Sequence, residues 1–353
     1  MFNLTQRPSR VLNTQNTATP PDNPSSSGGD PGEDTSLWKH HPVHWYDDGN
    51  VVIVAKDNTA FRVHLSVLSQ WSVMLGHLLE NATLKPLANV EGCPCMRIPD
   101  DSRDFAYFLT YIYDTSRYVK FFEPISIANP FPLSLYKAGS FPDIPTLTAL
   151  LKVSRAYEAR NIRFEALFRL RRHFPDTIEE WDAARKIGPL IDGDLFALAN
   201  VMNADDLCTL RLTRVLYLCA QATPEQLVRG AVRPSNGQVE KLDKVLLVRC
   251  FAAQKALVNA TLEMYPLIFN QSPECKTETE ASSLLDIKCK YDVIDHSSLI
   301  DGLSEEASIH PLTKPFQSAV ERVRKKCQRC GDWVDGLITQ EREDILLNLD
   351  FYV

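Results

Sequence analysis

The chain has 353 residues, a formal net charge of -7 and a hydrophobic content of 44%. This balance is typical of a globular protein and gives no general attraction to nucleic acid or to an anionic membrane surface. No stretch is expected to reach the roughly 20 apolar residues that cross a bilayer, and residues 1–10 lack the apolar centre of a signal peptide. The nine cysteines are an odd number scattered over a long chain, so we expect reduced thiols and a cytoplasmic or nuclear location.

Residues 1–36 form a tail rich in Pro, Ser, Thr, Asn, Gly and Asp. Such a composition cannot bury enough apolar surface to offset the entropy lost on ordering. The sequence therefore predicts a disordered N-terminal tail, with folded structure starting near Leu37 and Trp38.

A strand–turn–strand pattern follows the tail. Residues 51–55 are an unbroken apolar run rich in valine, too short for a helix and suited to a buried strand. Asp57 and Asn58 tolerate the positive φ of a tight turn, and residues 61–63 return as a second strand. From Leu65 onward the apolar spacing becomes helical, and Ser72 is predicted to cap the second of two short helices.

Later segments continue this pattern. Residues 96–99 predict a short third strand, residues 105–113 predict a helix behind the acidic start at 101–104, and residues 147–157 carry another helical stripe. Together with the Phe-Arg-Val-His sequence at 61–64 and the Ser-Val-Met-Leu sequence at 72–75, these segments resemble a BTB/POZ domain of the type expanded in fungi. The resemblance implies an α+β BTB/POZ fold over residues 37–175, a short β-sheet with a helical cluster, followed by a mostly α-helical C-terminal region over residues 176–353.

The resemblance also implies a function. BTB/POZ domains present surfaces to other proteins, so we expect a non-catalytic protein–protein interaction module, with a substrate adaptor for a cullin-type ubiquitin ligase as the specific expectation. In many cullin-binding members a hydrophobic residue, any residue and then Glu follow the second short helix, and Leu78-Leu79-Glu80 has that composition. The expected interaction surface therefore consists of Leu75, Leu78, Leu79 and Glu80.

Two departures from the family pattern bear on partner binding. Leu65 stands where many members carry Lys or Arg, so a charged pocket is weakened. The segment before Val51 is short and holds Pro42, which leaves little room for the N-terminal helix of the swapped BTB dimer. The resemblance therefore leaves a homodimer open and disfavours this route to it.

No motif in the sequence supports catalysis. There is no glycine-rich phosphate loop, no Gly-x-Ser-x-Gly and no His-Glu-x-x-His. His64 lies between a strand and a helix, where its analogue in the family is structural, and no nucleophile motif surrounds it. We therefore expect neither an enzyme nor a cofactor, and a structural role for His64.

The late cysteines leave two alternatives open. Cys327 and Cys330 form a Cys-x-x-Cys pair, and Cys275 and Cys289 lie upstream with thirteen intervening residues. Four thiolates suit a tetrahedral structural zinc, although the usual signal is two Cys-x-x-Cys pairs. Reduced thiols, packed or exposed, are favoured, and a zinc site at these four residues is the alternative.

A basic cluster supports a second function. Five cations, Arg322, Arg324, Lys325, Lys326 and Arg329, lie close together in the sequence and suggest a transcription- or chromatin-associated factor. Acidic neighbours favour a solvated helix face instead, and nucleic acid is not an expected partner.

The C-terminal region is predicted from 3- and 4-residue apolar spacings. Pro224 marks a helix start, and a surface excursion is expected over residues 114–143. The predicted helices span 162–174, 178–187, 195–202, 207–220, 239–265 and 319–347, the last broken near Cys330.

Overall fold

The computed structural model describes residues 37–84, 86–87, 89–118, 143–171, 173–185, 192–203, 209–275, 310–313 and 316–353. Over these ranges the protein is an α+β fold, mostly helical, with a small mixed sheet near its N-terminal end. The tail predicted over residues 1–36 lies outside the described residues. The surface excursion predicted over residues 114–143 also lies mostly outside them. Its described residues are 114–118, which continue a helix, and Asp143.

Five strands form the main sheet in the order β1-β3-β2-β5-β4. They are β1 (Lys39–Trp45), β2 (Val51–Val54), β3 (Thr59–Val63), β4 (Asn89–Val90) and β5 (Cys93–Arg97). A second sheet consists of β6 (Ala231–Val232) and β7 (Val239–Glu240).

Twelve helices of the described residues carry labels here. In the first half these are α1 (Leu65–Trp71), α2 (Val73–Leu84), α3 (Ser102–Tyr118), α4 (Ile144–Ala156) and α5 (Arg160–Leu170). In the second half they are α6 (Ile178–Arg185), α7 (Gly193–Asn203), α8 (Thr209–Cys219), α9 (Pro224–Arg229), α10 (Lys244–Glu263), α11 (Gln317–Lys326) and α12 (Gln328–Leu347). Two short 3-10 helices cover Tyr265–Phe269 and Leu349–Phe351.

The hairpin of β2 and β3 is the centre of the main sheet. Val51 pairs with Val63 and Val54 with Ala60 in antiparallel register, and Asn58 in the turn has a φ of 65°. All four residues of β2 are buried. Val51 and Ile53 face the main core, while Val52 and Val54 pack with Cys93 and Cys95 on the other face. The buried strand and its tight turn are as the apolar run predicts.

Strand β1 was not expected from the sequence. It runs parallel to β3 at the edge of the sheet, with a register shift between His40 and Trp45. Pro42 lies in this shift, and an edge position is where a strand tolerates a residue that cannot donate a hydrogen bond. The segment before Val51 therefore extends the sheet.

The junction between α1 and α2 is fixed by Ser72. Its hydroxyl accepts a hydrogen bond from the backbone N–H of Leu75 at 2.8 Å, which is the predicted N-cap. The same hydroxyl donates to the carbonyl of Tyr157 at the end of α4. One buried serine thus ends one helix, starts the next and holds both against a third.

Helix α4 is the central helix of the fold. Nine of its thirteen residues are buried, and its exposed residues lie on one side near its C-terminal end. It packs against α3 and α5 from the first half and against α7 from the second. Phe174, Ile178 and Trp181 then continue the same hydrophobic core past Pro175. The predicted domain boundary near Pro175 therefore falls within one continuous core.

The C-terminal half follows the predicted helices with two differences. The stretch predicted as one helix over 239–265 begins instead as strand β7, and α10 starts at Lys244 behind the cap of Asp243, whose carboxylate accepts from the N–H of Val245 at 2.8 Å. The long final helix breaks at Cys327, three residues before the predicted position. Pro224 does open α9, behind a capping box made by Thr223 and Gln226.

The small hairpin of β6 and β7 docks on the start of α7. The buried carboxylate of Asp194 accepts hydrogen bonds from the Arg233 guanidinium at 2.8 Å and from the Ser235 N–H at 3.0 Å. Gly193 permits this approach, because a Cβ there would lie 2.4 Å from the carbonyl oxygen of Ala231. Asp194 therefore joins the hairpin to the helical core, together with Asn200 of α7, whose amide donates to the Glu240 carboxylate at 2.9 Å.

The stretch Lys244–Cys275 contradicts the expectation that no segment of the chain is long and apolar enough to cross a bilayer. By length and composition alone it is apolar enough to cross a membrane, and it is the one such helix among the described residues. In the folded protein one side of α10 is buried in the core through Leu246, Cys250, Ala253 and Leu257. Core helices pass the same length and composition test, so the stretch is weak evidence for a membrane span.

Candidate functional site

Two of the four residues expected to form the interaction surface are core residues. Leu75 and Leu79 have no exposed surface and belong to the main hydrophobic core, so their assignment to a surface was wrong. They lie four residues apart on the inner side of α2, and a leucine run does not reveal from sequence which side faces inward. Leu78 is half-buried, and Glu80 is exposed with its carboxylate 3.6 Å from the His77 ring.

Two exposed apolar side chains of α2 lie in its first turn and not among the four expected residues. Val73 and Met74, in its first turn, are 73% and 39% exposed. They border an open depression whose opposite wall is made by Glu158, Arg160 and Asn161 at the start of α5. Sequence reasoning missed them because both continue the apolar pattern that also fills the core.

Helix α5 extends this surface. Phe164 and Phe168 are 48% and 52% exposed. With Arg160 they follow a four-residue spacing, which places all three on one stripe of the helix. Large exposed aromatic side chains on adjacent turns are the kind of surface feature that marks a contact with another protein.

Buried polar contacts lie next to this depression, beside its lining residues Ser72 and Glu158. The Tyr157 hydroxyl donates to the Asp100 carboxylate at 2.5 Å, and the Tyr157 carbonyl accepts from Ser72. Burial, and then the Asp100 carboxylate, raise the pKa of Tyr157 well above its ordinary range, so the phenol stays protonated and keeps donating. These contacts hold the start of α2 against the end of α4, three residues before α5 begins.

His64 lies at the start of α1, within a cluster of rings. Its backbone N–H donates to the Tyr113 hydroxyl at 2.9 Å, and its Nδ1 is 3.1 Å from the same oxygen. Its Nε2 lies 3.2 Å from the Asp48 carboxylate. These contacts join the hairpin, α1 and α3, which is what a structural histidine would do at this position.

The basic cluster is partly neutralised by carboxylates of α11 and α12. The Arg324 guanidinium forms ion pairs with Glu321, with Asp332 at 2.9 Å and with Asp335 at 3.1 Å. Arg322 donates to the carbonyl of Ser318 at 3.2 Å. A guanidinium surrounded by three carboxylates is a poor site for a phosphate, so the structure gives the nucleic-acid alternative no added support.

Three of the four candidate zinc cysteines come together. The sulfur atoms of Cys275, Cys327 and Cys330 all lie within 4.8 Å of one another, and those of Cys275 and Cys327 are 3.7 Å apart. The upstream partner Cys289 lies outside the described residues. Three of the four cysteines that the sequence offers as zinc ligands therefore lie together, although their spacing along the chain favoured reduced thiols over a zinc site.

No protein-family model matches the chain, and neither the curated proteins nor the solved structures give a match.

Proposed function

We propose that this chain is a non-catalytic protein–protein interaction module whose N-terminal half, residues 37–175, has a BTB-like fold. The order of elements supports the proposal: an antiparallel hairpin, β2 and β3, then two short helices, then β5 pairing in parallel with β2, then α3, α4 and α5. This is the order that the sequence resemblance implies.

The observation that carries the function is the exposed surface between α2 and α5. Val73 and Met74 are apolar side chains in the first turn of α2, and Phe164 and Phe168 form an aromatic stripe on α5. Arg160 lies on the same stripe of α5 and borders the depression together with Val73 and Met74. Aromatic residues, Met and Arg are enriched where proteins bind one another.

The partner class we propose is a cullin-type ubiquitin-ligase scaffold, for which this chain would act as a substrate adaptor. Leu78-Leu79-Glu80 has the hydrophobic–any–acidic composition of cullin-binding members, although it lies within α2 and does not follow it as expected, and Glu80 is exposed on the same helix as Met74. The buried middle residue of this triplet contributes to the core, so recognition would use the residues on either side of it.

The test uses purified full-length protein and a purified cullin scaffold, measured by calorimetry. A Val73→Asp, Met74→Asp double variant places two charges on the proposed surface without touching a core residue. We expect it to weaken binding at least about tenfold, equivalent to ~1.4 kcal/mol. Circular dichroism and the unfolding midpoint establish that the variant is folded.

Val228→Asp is the matched control. Val228 is 61% exposed on α9, a helix that does not line the depression, so this charge should leave binding unchanged. A wild-type protein that does not bind the scaffold would remove the adaptor proposal. Equal binding by the wild type and a folded double variant would remove this surface.

A further inference from the structure

A cluster of three cysteines joins distant parts of the C-terminal half. Cys275 lies six residues after the 3-10 helix Tyr265–Phe269, whereas Cys327 and Cys330 lie at the start of α12. Cys275 and Cys330 are buried and Cys327 is half-buried. The Cys275 and Cys327 sulfur atoms meet across 52 positions of sequence.

The distances between the sulfur atoms fit a shared metal ion. A zinc ion holds thiolates at about 2.3 Å in a tetrahedron, so two such sulfurs lie about 3.8 Å apart. Cys275 and Cys327 have a separation of 3.7 Å, and the third sulfur is within 4.8 Å of both. A disulfide would require a sulfur separation of about 2.05 Å.

The surroundings of the cluster are positively charged. Cys327 is the N-cap residue of α12, a 20-residue helix, and Cys330 lies in its first turn. The N-terminal end of a helix carries partial positive charge, which offsets the net negative charge of a zinc ion bound by three thiolates. Lys325 and Lys326 precede Cys327, and Arg329 precedes Cys330, so all three add positive charge beside the cysteines in sequence.

We propose that Cys275, Cys327 and Cys330 form a thiolate site for a zinc ion. Three thiolates and one Zn²⁺ carry a net charge of -1, which the neighbouring cations balance. Soft sulfur ligands select zinc or copper(I) over magnesium and calcium. The bound ion ties the chain after α10 to the junction of α11 and α12, and thus acts as a cross-link within the C-terminal half.

The test measures zinc in the full-length protein, expressed with zinc and purified without chelators. We expect about one zinc per chain by mass spectrometry. Each of the variants Cys275→Ser, Cys327→Ser and Cys330→Ser should lose most of that zinc. Cys250→Ala should keep it, because Cys250 is a buried thiol outside the cluster whose pKa is raised by burial to about 12, which keeps it protonated.

Two measurements on the wild-type protein keep the proposal falsifiable when a variant fails to fold. X-ray absorption at the zinc edge should show sulfur ligands at about 2.3 Å. A strong chelator should lower the unfolding temperature, and added zinc should restore it. A zinc-free wild type that takes up none on addition, a zinc held only by nitrogen and oxygen, or a disulfide between any two of the three cysteines would overturn the proposal.

Discussion

The guanidinium of Arg342 is buried against the carboxylate of Asp182, 160 positions earlier in the chain. Only 1% of the Arg342 side chain is exposed, and its Nη2 also donates to the carbonyl of Leu312 at 2.7 Å. One buried cation therefore links α6, α12 and the segment that holds Leu312.

Removing the acidic partner should leave that cation buried without its carboxylate. We expect Asp182→Ala to lower the free energy of unfolding by about 3 kcal/mol, because a broken buried ion pair typically costs 3–5 kcal/mol and Asp182 is itself partly exposed. Urea denaturation measures the loss. Asp344→Ala, at an exposed position on the same helix as Arg342, should change stability by less than about 0.5 kcal/mol.

Adding Arg342→Met to Asp182→Ala should recover part of the loss, since an apolar side chain of similar length needs no carboxylate. Equal stability of the wild type and Asp182→Ala would contradict a structural role for the pair.

Gly331 should not tolerate even one methyl group. A Cβ at this position would lie 2.4 Å from the Cβ and 2.5 Å from the Cα of Arg324, so α11 would have to move away from α12. We expect Gly331→Ala to lower the unfolding free energy by ~1–3 kcal/mol.

The matched control is Gly336→Ala on the same helix, where nothing lies within 4 Å of the new Cβ. There the higher helix propensity of alanine should raise stability by about 0.5–1 kcal/mol. The opposite signs of the two changes are the measurable signature, and a stabilising Gly331→Ala would show that the two helices are not in close contact.

The buried His44 should make stability depend on pH. Its Nε2 is 3.0 Å from the Thr110 hydroxyl, and burial, followed by the nearby His41, lowers its pKa from 6.5 to about 4. The unfolded chain therefore binds more protons than the folded protein between these values, so stability should fall as the pH drops from about 6.5 towards 4.

A His44→Gln variant should lose this component of the pH dependence while keeping a polar group near Thr110. Urea denaturation at pH 7 and pH 5 gives the comparison, and His77→Gln, at a mostly exposed position, serves as the control. If His44→Gln lost as much stability on acidification as the wild type, another group would be responsible.

His64→Ala should destabilise the N-terminal half by about 1 kcal/mol, because it removes the ring contacts with Tyr113 and Asp48. Thermal unfolding measures the effect. His77→Ala on α2, where 71% of the side chain is exposed, should have little effect. A His64→Ala protein as stable as the wild type would contradict the structural role predicted for this residue.

Local features of the fold were predictable because their causes are local. Asn58 tolerates a positive φ, Ser72 caps a helix with its own hydroxyl, and Pro224 suits a first helical position. Each depends on one residue and its immediate neighbours. The sequence therefore located these turns and caps within a residue or two.

Features created by distant contacts were not predictable. Strand β1 needs β3 as its partner, and β6 needs β7, since neither has a strong pattern of its own. The inner side of α2 is set by what packs on it, which is why Leu75 was assigned to the surface and Met74 was overlooked. The cysteine cluster likewise depends on where the chain brings Cys275.

The packing of α4 against elements of both halves has a consequence for how the molecule unfolds. Because this helix is shared by the elements on both sides of Pro175, neither half can melt while leaving the other with a covered core. We therefore expect one cooperative unfolding transition, detected alike by tryptophan fluorescence and circular dichroism. A chain cut at residue 175 would bare the side of α4 that α7 covers. In the intact chain, the proposed surface on α2 and α5 should therefore lose its structure at the same temperature as the helices of the C-terminal half.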